Sequence, residues 1–236
     1  MTGSNITHEV SVQEGYERWA AQYDQENNAL IMLEEQLTLP LLATVPTSHV
    51  LDLGTGTGRY AIRLAAQGAH VIALDQSEAM LSVARQTADQ AGVQVRFLLD
   101  SLDIDLPGEP DSFDLLLAAL VLCHVESLAH IACEAYRVVR PGGYILVTDF
   151  HPAAIAAGWR TEFTNADGKF LLPTAQHTRE HYLTTLANAG FRIQTVYDGL
   201  VRDVPANAFP EDIIKKDGDI PFCLVILASK PINGPQ

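Results

Sequence analysis

Basic residues are scarce in this chain: 15 Lys and Arg stand against 29 Asp and Glu, for a formal net charge of −14 over 236 residues. A field of that sign repels polyanions, and no run of Lys or Arg offsets it. A nucleic-acid partner and an anionic membrane surface are therefore disfavoured. Cysteine is scarce as well. Cys123, Cys133 and Cys223 lie far apart in apolar stretches, with no spacing that suits a metal site or a disulfide framework. No apolar run reaches the ~20 residues of a membrane span. The stretch from Met1 to Glu9 lacks the basic-then-apolar pattern of a secretory signal. These absences predict a cytoplasmic protein, acting without a metal, as a monomer or homodimer.

What is present is material for a core. The chain is 47% hydrophobic and 19% charged, a globular composition, and its length suits one α/β domain. Continuous apolar runs bounded by turns read as buried parallel strands. They fall at His49–Leu74 in two pieces (His49–Leu53 and His70–Leu74), then at Val93–Leu99, Phe113–Leu120 and Tyr144–Phe150. Helices are predicted between them, at Arg59–Gln67, from the Ser77 cap to Gln90, and at Val125–Val139. Strands alternating with helices imply βαβ units, whose right-handed crossovers put the strand C-termini on one edge. Ligands bind along that edge in open α/β sheets.

The remainder reads differently. Residues 10–42 suggest two helices broken at Asn27-Asn28. Residues 151–176 read as a linker, and 101–112 as a loop. A helix from the Thr178 cap to Asn188 precedes two further strands, Phe191–Tyr197 and Phe222–Ser229, separated by a loop rich in Pro and Asp. The expected organisation is a single domain over 1–236: a helical cap (1–45), a ligand-binding core (46–151), a lid or substrate insertion (152–177) and the C-terminal part of the sheet (178–236).

The segment Asp52-Leu53-Gly54-Thr55-Gly56-Thr57-Gly58-Arg59 follows the first strand. Its glycines let the backbone turn tightly and approach a ligand closely. A dinucleotide loop of the form Gly-x-Gly-x-x-Gly would need glycine where Arg59 stands, and no Gly-Lys-Ser/Thr follows for a phosphate loop. An acid ahead of Gly-x-Gly-x-Gly suits a cationic ligand with an amino-acid end. Asp75, at the second strand tip beside Gln76, is placed to accept both hydroxyls of a ribose. Met80 is a candidate to pack on an adenine. Asp100 is a candidate for the adenine amino group, with the Ser101 and Leu102 amides near a ring nitrogen.

Together these residues resemble the class I S-adenosylmethionine-dependent methyltransferases, over roughly Tyr16 to Ser229. Asp52 to Gly58 is similar to that family's first motif. Phe113-Asp114 through Leu122-Cys123-His124-Val125 is similar to its fourth-strand motif, and Arg137 to Gly143 to the turn before its fifth strand. Within the family the chain looks most like the small-molecule branch of ubiquinone and menaquinone biosynthesis. The resemblance implies an α/β, Rossmann-like, mostly parallel sheet of seven strands in the order 3-2-1-4-5-7-6, with helices on both faces and an N-terminal helical lid. It implies S-adenosyl-L-methionine as cofactor and S-adenosyl-L-homocysteine as product. The cofactor residues it implies are Asp52, Gly54, Thr55, Gly56, Gly58, Asp75, Gln76, Met80, Asp100, Ser101, Leu102, Ala118 and Ala119. Tyr16 and Tyr23, in Tyr16-Glu17-Arg18-Trp19-Ala20-Ala21-Gln22-Tyr23-Asp24, look like the tyrosine motif that closes over it.

Methyl transfer to a hydroxyl or a protonated amine needs a base; a thioether or free amine does not. His151 and His124, at strand ends on the binding edge, are the candidate bases. His177 and His181 are further candidates, and Asp149 is a candidate to orient a base or cap the strand. Residues 149–182 match no substrate class, so the small-molecule acceptor and the atom methylated stay open. The alternative is a regulatory or scaffold module that binds the cofactor without catalysis.

Overall fold

The computed structural model describes residues 6–25, 27–102 and 105–232. The chain opens with β1 (Thr7–Glu9), α1 (Val12–Trp19) and α2 (Ala29–Leu42). Asn28 caps α2 by accepting the Leu30 and Ile31 N–H groups, so the break read at Asn27-Asn28 is a helix start. An alternating series follows: β2 (His49–Leu53), α3 (Arg59–Ala66), β3 (His70–Asp75), α4 (Glu78–Ala91), β4 (Arg96–Leu99), β5 (Phe113–Ala119), α5 (Leu128–Val138) and β6 (Val139–Phe150). The rest comprises α6 (Pro152–Ala156), β7 (Thr161–Asn165), β8 (Gly168–Leu172), α7 (Arg179–Ala189), β9 (Arg192–Leu200), α8 (Glu211–Asp217) and β10 (Pro221–Ser229).

The main sheet has seven strands in the order β4-β3-β2-β5-β6-β10-β9. β2 to β6 pair in parallel, while β10 runs antiparallel to both of its neighbours. Successive strand side chains point to opposite faces, and each face has its own core. Leu116, Ala118, Ile145, Val147, Leu224 and Ile226 pack beneath α5 and α7. Leu115, Leu117, Leu146, Val225 and Leu227 pack beneath α2 and α3. Among the described residues no helix is long and apolar enough to cross a membrane.

Several predicted boundaries need correction. The third strand starts at Arg96 rather than Val93. The helix after the fourth strand starts at Leu128, capped by Ser127, because Leu122–His124 forms a separate tight turn. Arg140–Gly143, read as a turn, lies within β6, where the pairing with β5 shifts register and Gly142 takes φ +79°. The loop after β9 contains α8, whose acids lead and lysines trail, matching the helix dipole. The supposed linker 151–176 contains α6 and the hairpin β7–β8. Its turn carries Asp167-Gly168, a pair that favours hairpins.

That hairpin forms a separate three-stranded sheet with β1, which pairs parallel to β8. No strand is predicted at Thr7–Glu9 from the sequence. The sheet carries a ladder of near-parallel rings: His8 on Phe170 at 4.9 Å, Phe170 on Phe163 at 5.0 Å, and Phe163 on Trp19 at 4.9 Å. Stacked pairs of this kind add about 0.5–1.5 kcal/mol each beyond area burial.

α2 is fastened to the main sheet by Glu34, whose carboxylate is fully buried. It accepts hydrogen bonds from Arg59 Nη1 at 2.8 Å, Tyr60 OH at 2.9 Å and Thr148 Oγ1 at 3.0 Å. Glu34→Ala would strand the buried Tyr60 and Thr148 hydroxyls and leave half-buried Arg59 with Glu35 alone. Breaking a buried pair costs about 3–5 kcal/mol, so a matching fall in the urea midpoint at unchanged m-value is expected. A loss under about 1 kcal/mol, the scale of an exposed pair, would rule out this role.

Candidate active site

At the C-terminal edge of the parallel strands the chain leaves β2 through the glycine loop. Gly54 takes φ +62°, and a Cβ there would lie 2.3 Å from Val121 Cγ2. Gly56 takes φ +57° and lines the cavity at this edge, where an added Cβ would meet nothing within 4 Å. The loop thus packs closely on one side and leaves bare backbone on the other.

Two carboxylates flank it. Asp52 is 2% exposed and accepts the Thr55 hydroxyl at 2.7 Å; burial pushes it up to about 7. Asp75 accepts the Gly56 N–H at 2.8 Å through Oδ2 and the Ser77 N–H at 2.9 Å through Oδ1. Burial also raises its pKa, against the pull of those two N–H groups. Each Asp75 oxygen keeps acceptor capacity towards the cavity that it lines.

The N-terminal segment covers this edge. Tyr16 and Tyr23 line the cavity, with ring centroids 6.2 Å apart. Asp24 accepts the Thr57 hydroxyl at 2.9 Å, and Glu17 accepts the Glu78 N–H at 2.9 Å at the start of α4. Two acids of the segment, with Glu34, therefore grip the glycine loop and its neighbours. Tyr16 OH lies 3.1 Å from His124 Nε2, and His124 Nδ1 lies 2.7 Å from the Pro173 carbonyl. A carbonyl only accepts, so Nδ1 carries the proton, and Nε2 accepts from Tyr16. Burial lowers the His124 pKa and raises that of Tyr16, so both stay neutral.

The sequence candidates divide accordingly. Tyr16, Tyr23, Asp52, Gly54, Thr55, Gly56, Asp75, Gln76, Met80, Ser101, Leu102, Ala119 and His124 line one cavity. Gly58, Asp100, Ala118 and His151 do not. Gly58 packs on Ile62 and Ala84, and Ala118 is buried within its strand. Asp100 turns back to accept the Ser101 N–H and lines a shallow cleft outside the cavity. His151 is buried beside α6: its Nδ1 accepts the Ala153 N–H, and Nε2 pairs with Asp198 at 3.2 Å. Both ring nitrogens are thus engaged away from the cavity. Asp149 is also buried, accepts the Tyr182 hydroxyl at 2.8 Å, and is raised by burial to about 6. His177 Nε2 meets the Val125 carbonyl at 2.6 Å, and its other nitrogen faces His181. Asp114 holds the His49 N–H and Arg140 at the opposite end of the strands.

Sequence reasoning missed Val12, Thr57, Arg59, Tyr60, Leu120, Val121 and Val125 as cavity lining. Leu120 takes φ +57°, rare for a branched side chain, at the end of β5. No residue type announces it. Among the described residues, no group of three or more His, Cys, Asp or Glu is placed to hold a metal ion.

A mostly parallel sheet in this order, with a glycine loop and acids at its strand tips, defines the Rossmann-like α/β fold class. Comparison with known proteins narrows the class. A family profile described as "Methyltransferase domain" matches residues 51–147. Demethylmenaquinone methyltransferase of Clavibacter sepedonicus is 35% identical over 139 residues, covering 57% of this chain and 56% of the relative. The match thus spans little more than half of that relative's length. Two solved structures share the fold. One is an S-adenosylmethionine-dependent methyltransferase from Listeria monocytogenes (TM-score 0.64, 24% identity, 84% of this chain and 98% of that one). The other is magnesium protoporphyrin IX methyltransferase from Synechocystis with bound S-adenosylhomocysteine (TM-score 0.64, 20% identity, 92% and 94%). Through residues 51–147 the chain is thus similar to a methyltransferase domain, and its fold is shared with S-adenosylmethionine-dependent methyltransferases of known structure.

The raised Asp52 has a consequence for stability. Between its unperturbed value of 3.8 and about 7, the folded chain keeps a proton that the unfolded chain has lost. Stability therefore falls as pH rises through that window. Asp75 and Asp149, also raised, act with the same sign. Asp52→Asn is expected to flatten the slope of urea midpoint against pH. An unchanged slope would mean that Asp52 ionises normally in the folded chain.

Proposed function

We propose that this protein transfers a methyl group from S-adenosylmethionine to a small-molecule acceptor. The observation that carries the proposal is the bare backbone at Gly56, facing a cavity flanked by Asp52 and Asp75 and covered by Tyr16 and Tyr23. These residues fit the cofactor. The loop leaves room where a side chain would intrude, Asp75 keeps acceptor capacity for ribose hydroxyls, and buried Met80 offers an apolar surface for a base. Asp52 gives a carboxylate for the ammonium end, directly or through water. When bound, the cofactor supplies an electrophilic methyl on a good leaving group.

The chain's own contribution is then positioning and exclusion of water. The N-terminal segment acts as a lid, drawn down by Glu17, Asp24 and Glu34. His124 is the favoured base: its Nε2 lone pair lines the cavity and takes a proton from a hydroxyl acceptor once Tyr16 yields its hydrogen bond. His151 has no such opening. The acidic surface and the demethylmenaquinone relatives favour a small apolar acceptor over nucleic acid.

Calorimetry with S-adenosylmethionine, S-adenosylhomocysteine and NAD tests the reading; binding of NAD but neither sulfur nucleotide would end it. Gly56→Val is expected to abolish binding of S-adenosylhomocysteine, and full affinity in that variant would remove the loop from the site. Asp75→Ala is expected to weaken binding by about 1–3 kcal/mol, the cost of a buried group left unpaired. An unchanged dissociation constant would retire the ribose role.

A further inference from the structure

Residues 173–177 form a strap along one side of the cavity. Three hydrogen bonds tie it to the turn after β5: His124 Nδ1–H to the Pro173 carbonyl at 2.7 Å, Ala175 N–H to the Cys123 carbonyl at 2.7 Å, and His177 Nε2–H to the Val125 carbonyl at 2.6 Å. His124 and Val125 line the cavity, while Pro173, Ala175 and His177 line a second, wider cleft. One strand of backbone therefore separates the two.

The second cleft departs from the charge of the rest of the molecule. The chain carries −14, yet the cleft is lined by Arg160, Arg179, His151 and His177, with Glu9 as the sole carboxylate residue. Three of these four are committed. Arg179 pairs with Asp198 and Glu180, His151 with Asp198, and His177 with Val125 and His181. Arg160 has no carboxylate partner among the described residues. Its Nη1 donates to the Ile155 and Trp159 carbonyls at 2.9 and 2.8 Å, which fixes the guanidinium at the cleft wall. Nε and Nη2 are left for another acceptor, the fork that suits a carboxylate or phosphate. Val10, Ile155, Leu171 and Leu172 make the cleft apolar beyond it.

We propose that this cleft binds a small molecule with an apolar body and an anionic group, held at that group by Arg160. On the methyltransferase reading above, on which this last assignment rests, the occupant is the methyl acceptor, waiting outside the strap that parts it from the cavity.

The test uses the full chain saturated with S-adenosylhomocysteine, titrated calorimetrically with 4-phenylbutyrate, 4-phenylbutan-1-ol and inorganic phosphate. The acid is expected to bind at least about tenfold more tightly than the alcohol. Arg160→Gln should remove about that factor, and Arg160→Lys, which keeps the charge, should lose no more than about threefold. S-adenosylhomocysteine affinity should not change in either variant. Arg160-dependent binding of phosphate without 4-phenylbutyrate would also uphold the anion site, and would make its occupant a phosphorylated molecule. Equal binding by wild type and Arg160→Gln, no binding by either anion, or displacement of 4-phenylbutyrate by S-adenosylhomocysteine would overturn the proposal. If S-adenosylhomocysteine gave no heat while Arg160-dependent binding persisted, the cofactor reading would fail and the anion site would stand.

Discussion

A carboxylate without solvent sits at the seam of α2, α3 and β6, where Glu34 gathers Arg59, Tyr60 and Thr148. A buried charge is tolerable only when paired and fully hydrogen-bonded, so each partner is held to its place. Arg59 and Tyr60 are the first residues of the helix that leaves the glycine loop. The loop's position is thereby tied to the N-terminal segment as well as to β2. The tyrosines that cover the cavity and the backbone that floors it share one fixed point.

Around that point the cavity combines apolar walls with carboxylates kept from water. Burial raises both Asp52 and Asp75, so each is less content as an anion than it would be in solvent. A cationic or hydroxyl-bearing guest restores what desolvation removed. The neutral Tyr16–His124 pair opposite adds no charge of its own. Local field, and not the overall acidity, therefore sets what this site accepts.

The legible parts were those decided by local sterics. A glycine loop after an apolar run, an acid at the next strand tip and a serine cap each follow from a few neighbouring residues, and Gly56, Asp75 and Ser77 lie where such rules put them. Tyr16 and His124 are each legible as candidates, but their contact joins residues 108 positions apart and no local pattern encodes it. His151 shows the complementary limit. Its place at the end of β6 was foreseeable, yet not that the first turn of α6 and Asp198 would claim both its nitrogens. Asp100 likewise sat at a strand tip but turned outward to its own neighbour. Aromatic and Gly-rich composition hid the β7–β8 hairpin behind the look of a linker.

The parallel pairing of Thr7–Glu9 with Lys169–Leu171 joins the two ends of a span that contains the entire glycine loop and β2 to β6. Such a pairing closes a long loop, and its entropy must be met before the contact rewards it. During synthesis, Thr7–Glu9 must wait for the later β8 to leave the ribosome before the small sheet can assemble. Trp19, stacked on Phe163 of that sheet, waits with them. The cover over the cavity is thus encoded ahead of the floor beneath it and completed after that floor has left the ribosome.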